Sequence, residues 1–154
     1  MDMSARRRFG IHLVGLARRW RRALDQRLAV IGLSDATWAP LVHLAELGDG
    51  RCQKELAAAV GIDESTLVRL LDLLAERGLV ERQPSPRDRR LKLVHLTPAG
   101  HTAVSDIRAK LARIEDQLLE DLSDPEIAQM TAAFDRIDAR IQAAPPPASK
   151  GSER

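Results

Sequence analysis

The stretch CQKELAAAVGIDESTLVRLLDLLAERGLVERQ, Cys52 to Gln83, decides how this chain folds. Two short amphipathic segments flank Gly61. In the first, Leu56, Ala57 and Val60 fall at helical spacing, and three consecutive alanines from Ala57 to Ala59 permit another helix to approach closely. In the second, Leu67, Leu71 and Leu74 form an i, i+4, i+7 stripe widened by Val68 and Leu70, while Glu64, Ser65, Arg69, Asp72 and Glu76 occupy the other face. Asp63 is placed to cap the second helix, and Gly78 suits the left-handed turn that closes it. Short polar residues and one arginine near the start of a helix, braced by a second helix across a tight turn, suit the DNA major groove.

Two amphipathic helices with a glycine between them also describe an ordinary helical hairpin, so the flanking sequence has to discriminate. Leu79 to Gln83 is a short strand candidate, broken by Pro84-Ser85-Pro86 and the basic run Arg87-Asp88-Arg89-Arg90. Leu91 to Leu96 then alternates like a second strand. Two strands joined by a basic, proline-punctuated loop make a β-hairpin with cations at its tip. A helix-turn-helix followed by such a hairpin is a winged helix. A solvated charge run would be the plain reading of Arg87, Arg89 and Arg90, but their place at a hairpin tip favours contact with phosphate or the minor groove.

Taken together, IDESTLVRLLDLLAERGLVERQ, DRR and HLTPAG resemble the MarR family of winged-helix transcriptional regulators, its SlyA-like branch in particular. The resemblance runs from about Leu13 to Ile141. Its most specific parts are Ser65 to Arg69, Gly78-Leu79-Val80, Asp88-Arg89-Arg90 and Leu96-Thr97. It implies that Ser65, Thr66 and Arg69 face the major groove, that Arg89 enters the minor groove, and that Asp88 orients Arg89. Gln53 and Lys54, which open the first helix of the pair, join Arg87 and Arg90 as further candidate DNA contacts. The expected fold is mostly α with a small β-hairpin wing: a winged helix-turn-helix with terminal dimerisation helices. The expected organisation is one domain over 1–142, with dimerisation helices at about 8–31 and 98–142, a DNA-binding lobe at about 34–96, and a disordered tail over 143–154.

Outward from the core, Leu16, Trp20, Leu24 and Leu28 recur every four residues in a first helix that Gly32 would close. Ser34 is placed to cap a second helix through Trp38, Leu41, Leu44 and Leu47 to Gly48, which Pro40 would kink. After the wing, Thr97-Pro98 reads as a cap with a proline at the first helical position. The helix it opens carries Ala103, Ile107, Leu111, Ile114, Leu118 and Leu122. Ser123-Asp124-Pro125-Glu126 resembles a capping box. Beyond it, Ile127, Met130, Phe134, Ile137 and Ile141 alternate spacings of three and four, the pattern of a helix seam. With little else in the chain to cover Leu16, Trp20 and this seam, a second copy is the economical partner. The resemblance implies the same homodimer, which would set two reading helices on an inverted repeat.

Composition sets outer bounds. A chain of 154 residues suits one domain with a sizeable core. Aromatics are 3% with no tyrosine, so that core must be aliphatic. The formal charge of +2 does not mark a nucleic-acid binder, but its distribution is uneven. Residues 1–30 hold eight arginines against two aspartates, and residues 97–142 hold nine acids against five bases. That polarity suggests a basic side facing DNA and an acidic, solvated side. A single cysteine excludes an internal disulfide and suits a reducing cytoplasm. The arginine-rich N-terminus raises a surface-lying membrane helix or a targeting peptide, and its lack of a continuous apolar run argues against secretion.

An enzyme is not expected. His12, His43, His95 and His101 show no metal-ligand spacing and most read as surface positions; neither a phosphate loop nor a nucleophile elbow is present. No cofactor or metal is called for. A winged-helix adaptor for other proteins, without DNA binding, is the alternative, and the charged wing tip weighs against it. The resemblance further implies a pocket between the dimerisation helices and the lobe that takes a small aromatic carboxylate effector. Trp38 is its candidate wall, or else a core tryptophan. Cys52 stands at the N-cap of the helix beginning Gln53, near Arg51 and Lys54. Such a setting favours a reactive thiolate, so Cys52 is either an oxidation-sensing residue or a small cap filler.

Overall fold

Helical periodicity carries most of the chain into α-helix. The computed structural model describes residues 4–31 and 36–144. It runs α1 (Ala5–Val30), α2 (Trp38–Leu47), β1 (Arg51–Cys52), α3 (Gln53–Val60), α4 (Glu64–Glu76), β2 (Val80–Pro84), β3 (Lys92–Leu96), α5 (Pro98–Leu118) and α6 (Asp124–Ala143). The three strands form one antiparallel sheet in the order β1-β3-β2. This is the expected winged helix. The chain divides into two units, Met1–Glu115 and Asp116–Arg154.

In the first unit the leucine stripes meet. Leu44 of α2, Leu56 of α3, and Leu67, Leu71 and Leu74 of α4 are fully buried, joined by Leu28 of α1 and Val94 of β3. Each such side chain contributes about 1.5–3 kcal/mol by leaving water, so an aliphatic core suffices without tyrosine. The turns follow the backbone chemistry. Gly61 ends α3 in the left-handed region at φ 79°, and Gly78 follows α4 at φ 70°. β2 and β3 pair from Val80 with Leu96 to Pro84 with Lys92. Thr97 closes the hairpin onto α5: its hydroxyl donates to the Gly78 carbonyl and accepts from the Gly100 N–H at 3.0 Å.

The structure departs from several of these expectations. Pro40 is the third residue of α2, where the N–H of the first turn has no partner within the helix, so proline costs no hydrogen bond there and does not act as an interior kink. Gly32 and Ser34 lie outside the described residues, and Thr37 immediately precedes α2. The buried stripe of α5 is Gly100, Val104, Ile107, Leu111 and Ile114; Ala103 is half-buried beside it, and Leu122 falls beyond the end of the helix at Leu118. β1 is an addition, pairing Arg51 with Val94 and Cys52 with Leu93. His43 and His95 are half-buried. Of the expected tail, Ala143 is the last residue of α6 and Ala144 follows it in extended backbone, while 145–154 lie outside the described residues.

In the second unit the Ser123 to Glu126 capping box is present. The Glu126 carboxylate accepts from the Ser123 N–H at 2.8 Å and from its hydroxyl at 2.7 Å, which holds the Glu126 pKa below its ordinary value. No residue of α6 is buried. Among the described residues, no helix is long and apolar enough to cross a membrane.

Candidate nucleic-acid interface

The start of α4 is built around Asp63. Its Oδ1 accepts the Thr66 N–H at 2.7 Å and the Ser65 hydroxyl at 2.7 Å. The Ser65 hydrogen bond and then the Thr66 N–H lower the Asp63 pKa to about 2, so the cap is ionised through the neutral range. Leu67, Leu70, Leu71 and Leu74 anchor one face of α4 in the core. Ser65 and Arg69, one turn apart, are exposed on the other, and Thr66 is half-buried between the two faces. The helix thus presents a hydroxyl and a guanidinium from a rigid base. At the start of α3, Gln53 is half-buried and Lys54 exposed.

The hairpin tip is fixed by its own backbone. Ser85 N–H donates to the Leu91 carbonyl at 2.7 Å, and Leu91 N–H to the Asp88 carbonyl at 3.0 Å. The Ser85 hydroxyl accepts from Arg87 N–H at 3.3 Å. Asp88 Oδ1 accepts from Arg90 N–H at 3.0 Å, so its carboxylate shapes the turn on which Arg89 stands. Arg87, Arg89 and Arg90 are all exposed. The structure therefore brings the α4 face and a tricationic tip into the same folded unit. The eight arginines of residues 1–30 are elsewhere, on α1.

Trp38 is buried where α1 meets α2. Its indole Nε1 donates to Asp25 Oδ1 at 2.9 Å, and the Arg21 guanidinium carbon lies 5.0 Å from the ring centroid. That stacking is worth roughly 0.5–2 kcal/mol. Burial, and next the Arg21 charge, push the nearby His43 pKa below its ordinary value. Cys52 is at the N-cap of α3 as expected, half-buried, with no hydrogen bond from its side chain to the helix. The Arg51 guanidinium serves α2 instead, donating to the carbonyls of Leu47 and Gly48, with Glu55 at 3.9 Å.

None of the residues expected at a dimer interface is buried within the chain. Phe134 is 45% exposed, Ile141 67% and Leu16 48%; Met130 is exposed, and Trp20, Ile127 and Ile137 are half-buried. The sequence does not announce the long-range polar links, among them Arg82 of β2 to Asp72 of α4, and Arg77, which follows α4, to Thr37 beside α2 at 3.2 Å. No local pattern announces a partner 10 or 40 residues away.

The family model of the MarR family matches residues 31–91. Solved structures agree along most of the chain. The transcriptional regulator PA3341 is 40% identical with a TM-score of 0.75, over 88% of this chain and 99% of that one. A MarR-family transcriptional regulator from Rhodococcus sp. RHA1 is 29% identical with a TM-score of 0.74, over 88% and 96%. CouR from Rhodococcus jostii RHA1, solved bound to p-coumaroyl-CoA, is 32% identical with a TM-score of 0.68, over 84% and 90%.

Proposed function

Because this chain belongs to the MarR family of winged-helix transcriptional regulators, we propose that it is a sequence-specific DNA-binding repressor acting as a homodimer on an inverted-repeat operator. The observation that carries this reading is the exposed pair Ser65 and Arg69 on an Asp63-capped helix, in one unit with the cationic hairpin tip. Arg69 reads a base edge in the major groove, with Ser65 and Thr66 beside it. Arg89 enters the minor groove, while Gln53, Lys54, Arg87 and Arg90 hold phosphates. The lobe expected at about 34–96, of which the structure describes residues 36–96, binds the DNA, and the helices at about 8–31 and 98–142 join two copies. The exposed apolar positions of α1 and α6 support that assembly, since a chain rarely leaves Phe134, Met130 and Ile141 together in water.

Release by a small aromatic carboxylate, free or as an acyl thioester, completes the proposal. It is supported by the p-coumaroyl-CoA held by CouR, with Trp38 as the wall of the pocket in this chain. The place of action is the cytoplasm, and no catalysis is assigned. The test is operator binding by two variants. Arg69→Ala should weaken binding by about 1–3 kcal/mol if it makes a bidentate base contact. Arg89→Ala should weaken it with a shallower dependence on salt, because its cation no longer displaces counterions. Unchanged affinity for Arg69→Ala would remove α4 from the interface, and an unchanged salt slope for Arg89→Ala would remove the wing.

A further inference from the structure

Arg82 lies in the middle of β2, opposite Val94, and its side chain reaches α4. Nη1 donates to Asp72 Oδ1 at 2.7 Å, and Nη2 to the main-chain carbonyl of Val68 at 3.4 Å. Val68 and Asp72 bound one helical turn, so a single planar guanidinium spans that turn. The Arg82 side chain is 23% exposed and Asp72 56%, and Arg82 Nε is buried with no hydrogen-bond partner. An ion pair this open to water adds little to stability. A fork engaged at two points does something else: it fixes direction, which a lysine cannot reproduce.

The link it makes lies between the two candidate reading elements. Val68 immediately precedes Arg69 on α4, and β2 leads directly into the tip that carries Arg89. Two contacts held at the correct separation bind as one event; if the joint between them loosens, the second contact loses its high effective concentration. We propose that Arg82 is a positioning residue that sets the spacing between α4 and the wing, so that Arg69 and Arg89 engage the same duplex together. This rests on the DNA-binding reading given above.

Two probes test it: a duplex selected by the wild-type protein from a random library, and a shuffled duplex of equal length. Arg82→Lys keeps the charge but removes the planar fork. Its affinity for the selected duplex should fall about tenfold or more, and its salt slope should flatten by roughly one phosphate contact. Affinity for the shuffled duplex and the melting temperature should stay close to wild type. Arg89→Ala should then cost much less in the Arg82→Lys background than alone. Asp72→Asn, which loosens the link from the helix side, should reproduce the pattern if Arg82→Lys folds poorly. If the effects of the Arg82 or Asp72 variant and Arg89→Ala simply multiply, with the salt slope unchanged, Arg82 does not position the wing. Wild type that selects no duplex would overturn the DNA-binding reading and this role together; selection with multiplying effects overturns this role alone.

Discussion

Replacing Gly100 by alanine sets two effects of known size against each other. Gly100 lies in the first turn of α5, where alanine is favoured over glycine by about 1 kcal/mol on helix propensity. The space there is closed, however. A Cβ on Gly100 would stand 2.0 Å from the Leu79 carbonyl oxygen and 3.3 Å from Leu96 Cδ2. Clearing the oxygen requires a movement of about 1 Å, since real contacts of this kind do not fall under 3.0 Å. That oxygen is not free to move: it accepts the Thr97 N–H at 3.1 Å, and Val80 beside it is paired with Leu96. Overpacking costs about 1–3 kcal/mol, and loss of the Thr97 hydrogen bond adds about 1 kcal/mol. Sterics therefore win, and Gly100→Ala should be less stable by roughly 1–3 kcal/mol after the propensity gain is subtracted. At roughly 2–4 °C per kcal/mol for a chain of this size, melting should fall by about 2–12 °C. Urea unfolding followed by far-ultraviolet circular dichroism reads this directly. A variant as stable as wild type, or more stable, would refute the close seating of α5 on the base of the wing.

Phe134→Glu should raise the dimer dissociation constant at least about a hundredfold, because a carboxylate in an apolar seam lacks a partner. Light scattering should then show a monomer where wild type is a dimer, and a wild-type monomer at micromolar concentration would contradict the seam. His43, faced by Arg21 and Glu46, has a pKa below its usual 6.5 and so binds fewer protons folded than unfolded. Its contribution to stability is complete above about pH 6.5 and declines as pH falls beneath it, so urea midpoints should drop less between pH 8 and pH 5 in His43→Gln than in wild type. Equal drops would dismiss the effect. Peroxide should affect operator binding equally in wild type and Cys52→Ser, because that side chain makes no hydrogen bond to the helix it precedes and its basic neighbour Arg51 is engaged by α2. Loss confined to wild type would make Cys52 a redox site.

What could be read from the residues was what repeats locally. The leucine period of α4, Asp63 before it and Gly78 after it lie within one short window, so helix, cap and stop are legible together. The alternation on either side of the Pro84 to Arg90 run likewise exposes the hairpin. Pro40 misled because its effect depends on where the helix begins, and a cap further upstream would have placed it in the interior. β1 has only two residues, too few for a period, and exists through its pairing with β3. On the candidate interface, the exposed residues could be named from the sequence, whereas what holds them could not. The Asp88 bond to the Arg90 backbone, the Arg82 fork on α4 and the Trp38 bond to Asp25 each depend on tertiary placement.

Selection of bound duplexes from a random library by the full-length protein tests the central claim most directly. A dimer that places two copies of α4 in successive major grooves should enrich an inverted repeat with half-site centres about 10 base pairs apart. Enrichment of no sequence, or of a single unrepeated half-site, would contradict it.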